Sequence, residues 1–373
     1  VAAVAKALRL AADRSGEQRG KQQKPGCHGQ DQGCCDPRGV VRSWRSVSPS
    51  CPLIGLRFAA SAGRRRLRRS LVGAAVLWSA VLLPACAQRS SAPASPATPP
   101  SHPLVLTTAA PVTLFTRAVA GDCASVVSLL PPGADPHSFQ SRPADLLQLR
   151  RARVLVSNGL GLEAFLAPLV TAAGHADLVR IDSARGLGLA SAPANPHAWL
   201  NPSSARLQVQ AIAAGLAAAD PGCARGYRQR AARYAAQLQA LDRELASRLA
   251  PYRCRSFVTS HSFAEHFAHR YGLVAQALQT NPEQEPTPAD LQRVAQVVRQ
   301  GRLRGVLTPP GEQSRALLAL ARDLGVGVGG FDTLELLDDA QTRDPQTYLR
   351  LLRRNTDAVI GTLGPDQGGA KSP

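Results

Sequence analysis

From Leu104 onward, short apolar runs alternate with amphipathic stretches, and the alternation runs twice along the chain. Leu104–Thr108 reads as a strand, Pro111–Ala120 as a helix opened by its proline, and Ser125–Leu130 as a second strand. Pro143–Arg151 reads as a helix, Arg153–Ser157 as a strand, Leu162–Ala172 as a helix and Leu178–Ile181 as a short strand. Strand and helix at this spacing predict a parallel sheet covered on both faces. Ligands of such sheets sit beyond the carboxyl ends of the strands.

Ser203–Ala219 then predicts a helix capped by Ser203 or Ser204, and Gly222–Leu249 a second, much longer one. In the latter, Leu238, Leu241, Leu245 and Leu249 recur at three and four with Arg, Gln and Glu between them. About 28 residues at 1.5 Å each would make a strut of about 42 Å. Beyond it the alternation restarts. Strands are predicted at Ser256–Ser260, Leu273–Gln279, Gly305–Thr308 and through Val328, and helices at Phe263–Tyr271, Pro288–Gln300, Ser314–Leu324 and Pro345–Leu363. The expected fold is α/β, with two lobes, each a mostly parallel sheet flanked by helices, joined by one long rigid helix.

Composition changes the picture at the amino end. The chain has 373 residues, enough for two domains, and a formal net charge of +18 that suggests nucleic acid. The charge is uneven: residues 1–86 carry 15 Lys+Arg against 4 Asp+Glu, and residues 87–373 carry 29 against 22. The remaining arginines are scattered, and aromatic residues are only 4%, so neither a phosphate stripe nor a base-stacking platform is indicated. Residues 1–63 show no sustained period and are expected to be a disordered or non-native extension. Arg64–Arg69 and the apolar Ser70–Pro84 resemble a secretory leader, too short for a span of about 20 residues. Leu83-Pro84-Ala85-Cys86 has the form of a bacterial lipobox, which would make 64–85 a lipoprotein signal and Cys86 the lipidation site. An ordinary signal peptide and twin-arginine export remain open alternatives. Residues 86–103, rich in Ser, Ala and Pro, would be a flexible tether. The other boundaries are 104–220 for the first lobe, 221–249 for the linking helix, 250–364 for the second lobe and 365–373 for a disordered tail.

Three histidines stand where chain elements end. His137 lies in the rigid loop PPGADPHSFQ, His197 between the two Asn-Pro corners of NPHAWLNP, and His261 directly after an apolar run in VTSHSF. Imidazoles brought together from distant parts of a chain suggest a metal constellation.

Those segments, with HSFAEHFAHRYGL, NPEQEPTPADL and GGFDTLE in the same order, resemble the metal-binding solute receptors of zinc/manganese ABC importers. The resemblance covers roughly residues 104–364. It implies a metal held between two lobes by His137, His197, His261 and Asp332, and delivery to an ABC membrane permease. It implies no catalysis. With Cys86 lipidated, the protein would be a monomer anchored at the outer face of the cytoplasmic membrane, in the periplasm of a bacterium. Three imidazoles and one carboxylate suit Zn²⁺, whereas manganese receptors of the family carry a carboxylate at the third position; manganese stays the alternative metal. Asp135 and Ser260 are expected to orient imidazoles from behind.

This chain departs from the family pattern in places. Ser183–Ala194 has no histidine, so a metal-collecting loop is missing, and Asn195 and Asn201 stand where Asp is usual. The family glutamate after the Gly305–Leu307 run is not evident, with Pro309-Pro310 in its register and Glu312 nearby. His102, His175, His266 and His269 are expected outside the ligand set. Cys123, Cys223 and Cys254 would sit in an oxidising compartment, with no pairing derivable from the sequence. A zinc hydrolase is disfavoured by the expected fourth ligand and the lack of a HExxH helix. An adhesin-like surface lipoprotein is the remaining reading of another class.

Overall fold

The computed structural model describes residues 102–189, 195–280, 284–312 and 314–365. The expected leader, Cys86, the extension and nearly all of the tether and tail lie outside them. Among the described residues, no helix is long and apolar enough to cross a membrane.

The first sheet holds β1 (Leu104–Thr107), β2 (Ser125–Ser128), β3 (Val154–Ser157) and β4 (Val179–Asp182) in the order β2-β1-β3-β4. The second holds β5 (Ser256–His261), β6 (Val274–Gln279), β7 (Gly305–Thr308) and β8 (Gly327–Gly330) in the equivalent order β6-β5-β7-β8. Every pairing is parallel. Val105, Leu106, Phe257 and Val258 are fully buried, as strands covered on both faces require. The strand order reverses at β1 and at β5, so the crevice beyond their carboxyl ends is where a ligand belongs. His261 is itself the last residue of β5.

The first lobe adds helices α1 (Ala110–Ala120), α2 (Pro143–Arg151), α3 (Leu166–Ala173) and α4 (Pro202–Ala219). The strut is α5 (Ala224–Leu249), of 26 residues and therefore about 39 Å long. The second lobe adds α6 (Glu265–Tyr271), α7 (Pro288–Gln300), α8 (Arg315–Leu324), α9 (Asp339–Arg343) and α10 (Gln346–Leu363). Two local expectations shift. Helix α4 is capped by Asn201, whose side chain accepts the Ser203 N–H at 2.9 Å, rather than by a serine. Helix α3 starts four residues later than its apolar pattern suggests, because Glu163 ties down the preceding turn by accepting from the Asn158 and Gly159 amides at 2.7 and 3.1 Å.

The strut buries Tyr227, Tyr234, Leu238, Leu241, Leu245 and Leu249. These belong to one apolar cluster that runs from Val105 and Leu216 in the first lobe to Val258, Phe331 and Leu352 in the second. Charged ties reinforce it. Asp242 on α5 accepts from Ser203 at 3.1 Å and from both Arg270 and Tyr271 on α6. Arg353 on α10 grips Glu244 through contacts of 2.8–3.0 Å. A disulfide joins Cys123, just after α1, to Cys223 at the foot of the strut, with Cα atoms 6.1 Å apart.

The chain also crosses back. After β8 it returns to the first lobe, where Arg117 of α1 binds Asp339 at 2.8 Å and also the Thr342 hydroxyl. Helix α9, absent from the sequence reading, is the element held by that clamp.

Candidate metal centre

The His137 loop leaves β2 through Leu129 and Leu130, both buried. Asp135 shapes it: Oδ1 accepts the His137 amide at 2.8 Å and Oδ2 the Ser138 hydroxyl at 3.2 Å. Asp135 was expected to orient the ring, and the contacts seen here are to the His137 backbone amide and to Ser138. Its carboxylate holds the backbone of the loop.

His197 follows Asn195, whose Oδ1 accepts from both the His197 amide (3.0 Å) and its ring Nδ1 (2.9 Å). With the proton on Nδ1, Nε2 carries the free lone pair. Trp199 packs beside this ring, with centroids 5.2 Å apart. The first lobe backs the loop further through Asn158, which donates to the Pro196 carbonyl at 3.1 Å and is itself held by Gln208.

His261 points from the end of β5 with its Nδ1 3.2 Å from Glu312 Oε2. A carboxylate only accepts, so here too Nδ1 carries the proton and Nε2 is bare. Ser260 Oγ lies 3.5 Å from the same nitrogen, at the outer limit of a hydrogen bond. The partner behind this ring is therefore Glu312. Glu312 lies two residues past the Pro309-Pro310 pair, in the loop that follows β7.

His137 Nε2 and His197 Nε2 lie 3.3 Å apart, and Glu335 Oε1 is 3.0 Å from the first and 3.3 Å from the second. Among the described residues, this trio is the one group whose ligand atoms converge as a metal site needs. Two ring nitrogens and a carboxylate oxygen at such distances are held together by a shared proton or by a cation. Tetrahedral coordination with bonds of 2.0–2.1 Å has edges of about 3.3–3.4 Å, close to this triangle. His261 stands just outside it, its ring centre 5.8 Å from that of His197. Its Nε2 is buried with no hydrogen-bond partner, an atom suited to a fourth donor bond.

The site is largely buried, with His197, His261 and Glu335 exposing 3%, 4% and 7% of their surface. Burial alone would raise the Glu335 carboxyl, but the facing His197 and His137 rings reverse this and hold it far below the usual carboxylate range.

The carboxylate of this group is Glu335, and Asp332, expected from the motif, is not part of it. Asp332 Oδ1 accepts the Leu334 amide at 2.8 Å, closing a tight turn in which Leu334 takes a φ of 64°. The Asp332 backbone pairs with the Asn355 amide through two bonds of 2.8 Å. Its side chain lines a separate cleft with Pro310, Arg354 and Asp357. The turn sends Glu335 toward the first lobe, and Trp199 Nε1 fixes it by donating to the Thr333 carbonyl at 2.8 Å. Glu335 was visible in the sequence only as one of several acids near Asp332. Of the other histidines, His175 Nε2 meets the Ala152 carbonyl at 3.0 Å and His266 Nε2 the Asn195 carbonyl at 2.9 Å, so neither ring nitrogen joins the group.

Comparison with known proteins agrees with this architecture. Residues 105–361 match the model of the family described as zinc-uptake complex component A, periplasmic. The chain is 28% identical to the iron-binding protein YfeA of Yersinia pestis over 274 residues, covering 70% of this chain and 86% of YfeA. It is 28% identical to the manganese-binding lipoprotein MntA of Halalkalibacterium halodurans over 253 residues, covering 66% of this chain and 83% of MntA. The crystal structure of the Zn(II)-bound ZnuA-like domain of Streptococcus pneumoniae AdcA superposes with a TM-score of 0.62 at 26% identity, covering 70% of this chain and 98% of that domain. Such proteins are solute receptors and not enzymes.

Proposed function

We infer that this chain, which belongs to the family of periplasmic component A proteins of zinc-uptake complexes, captures Zn²⁺ outside the cytoplasmic membrane for import. The family binds divalent metal ions and works with ABC permeases. Its members are periplasmic proteins or lipoproteins. For this chain we assign capture to His137, His197, His261 and Glu335, and delivery to a membrane permease. Anchoring would be through Cys86 and the tether that follows it.

The observation that carries the reading is the convergence of His137, His197 and Glu335 beside the buried, unpartnered Nε2 of His261. The names of the relatives span iron, manganese and zinc, so the choice of metal rests on the donors of this chain. Three imidazoles and one carboxylate form a nitrogen-rich set for a four-coordinate, borderline-soft cation. The Irving–Williams order then favours Zn²⁺ over Mn²⁺ and Fe²⁺ at a site of this kind. The continuous core through the strut favours small movements of the loops around His261 over a wide hinge when the ion enters.

The test is genetic. A strain lacking the protein should fail to grow under zinc chelation and recover with added zinc or with the wild-type gene, but not with Glu335→Ala. Unchanged growth on scarce zinc with lost surface attachment would point to an adhesin instead.

A further inference from the structure

Asn195 uses both ends of its side-chain amide, and the two ends face different lobes. Toward the first lobe, Oδ1 accepts from the His197 amide and from ring Nδ1. Toward the second, Nδ2 donates to the Ser262 carbonyl and to Glu265 Oε2, the latter at 3.1 Å. Its backbone carbonyl accepts from His266 Nε2 at 2.9 Å. The assignment of the amide follows from the partners: a carbonyl and a carboxylate only accept, so the NH₂ end must face them. Ser262, Glu265 and His266 all lie on the segment that leaves β5 immediately after His261.

We propose that Asn195 is a positioning residue that fixes the Nε2 face of His197 and, in the same contact, its spacing from His261 across the cleft. The proposal rests on the metal-capture reading above. Only a primary amide meets both demands at this place. A carboxylate would keep the bond to the His197 ring but would set oxygen against the Ser262 carbonyl and charge against Glu265. An alanine would lose both contacts. Asn195 and Glu265 therefore form a matched pair, in which the neutral side chain on one lobe allows the acidic one on the other.

The experiment is a cycle of variants in the purified protein: wild type, Asn195→Asp, Glu265→Gln and the double variant. Zinc affinity is read by competition with a chromophoric chelator, and ligand geometry by the visible spectrum of the Co²⁺-loaded protein. N195D should bind zinc about tenfold more weakly, because an oxygen set against the Ser262 carbonyl and a charge set against Glu265 push the His197 loop from its spacing to His261, a disturbance on the scale of other changes behind the ligands. Its Co²⁺ bands should shift. E265Q alone should stay within about threefold of wild type, because its amide oxygen still accepts from Asn195. The double variant should regain at least threefold over N195D, since the new amide donates to the new carboxylate. An N195D protein that binds zinc within twofold of wild type and keeps its Co²⁺ spectrum would overturn the proposal. So would an N195D defect that the double variant does not relieve. A wild type that binds no zinc would overturn the functional reading itself, a result distinct from either.

Discussion

Glu335 Oε1 lies 3.0 Å from the His137 ring although the two residues are 198 positions apart. The segment carrying the acid reaches the first lobe because Trp199 holds the Thr333 carbonyl and Arg117 holds Asp339. Glu335→Ala should weaken zinc binding by more than the 10–100-fold typical of losing an outer partner. Asp332→Asn, which keeps an oxygen for the Leu334 amide, should stay within about threefold. Competition titration of the two variants side by side separates the acids. A larger loss from Asp332→Asn would move the ligand back to the motif position.

Glu312 backs His261 at 3.2 Å and fixes which nitrogen is bare. Glu312→Ala should lower zinc affinity about tenfold while leaving the melting temperature of the metal-free protein nearly unchanged, because the acid touches the ring and not the core. Titration and a thermal melt of the same preparation check both halves.

Asp242 links the strut to both lobes, and its titration sets a pH dependence. Burial pushes the carboxyl up, but hydrogen bonds and charge from Arg270, with Ser203 and Tyr271, bring it net below its ordinary value. A depressed folded pKa gives stability that is present above the unfolded value near 4 and is lost as pH falls through the folded value. Asp242→Asn should cost about 1–3 kcal/mol at pH 7. Melts of wild type and variant from pH 7 to 3 should show a constant gap down to about pH 5 and a closing one below about pH 4.

The Cys123–Cys223 bond closes a loop with a sequence separation of 100. Cross-links of that span stabilise by about 2–5 kcal/mol through the unfolded chain. The paired Cys123→Ser, Cys223→Ser variant should melt several degrees lower than wild type and keep its zinc stoichiometry, since neither residue belongs to the ligand group.

Most of the architecture was legible because parallel strands buried on both faces leave plain apolar runs, and the strut leaves leucines at three and four. The His137 and His197 loops announced themselves through Pro, Gly and Asn corners. What sequence order concealed were relations made by turns. Asp332 occupies the expected motif position, yet its carboxylate closes its own turn and passes the outward direction to Glu335. Glu312 backs His261 from the loop after β7, a contact that its place in the sequence did not announce. Helix α9 is five residues long, too short to show a period, and the Arg117 clamp that holds it joins residues 222 apart. The disulfide was hidden for the same reason: the strut predicted between Cys223 and Cys254 sets those two apart, but nothing local brings Cys123 to Cys223.

The most direct test is zinc K-edge X-ray absorption on the protein loaded with one equivalent of Zn²⁺. The account predicts stoichiometric binding and a first shell of four N/O donors at about 2.0–2.1 Å, with the outer scattering of three imidazoles. No stoichiometric zinc, or a shell with one imidazole or none, would contradict it.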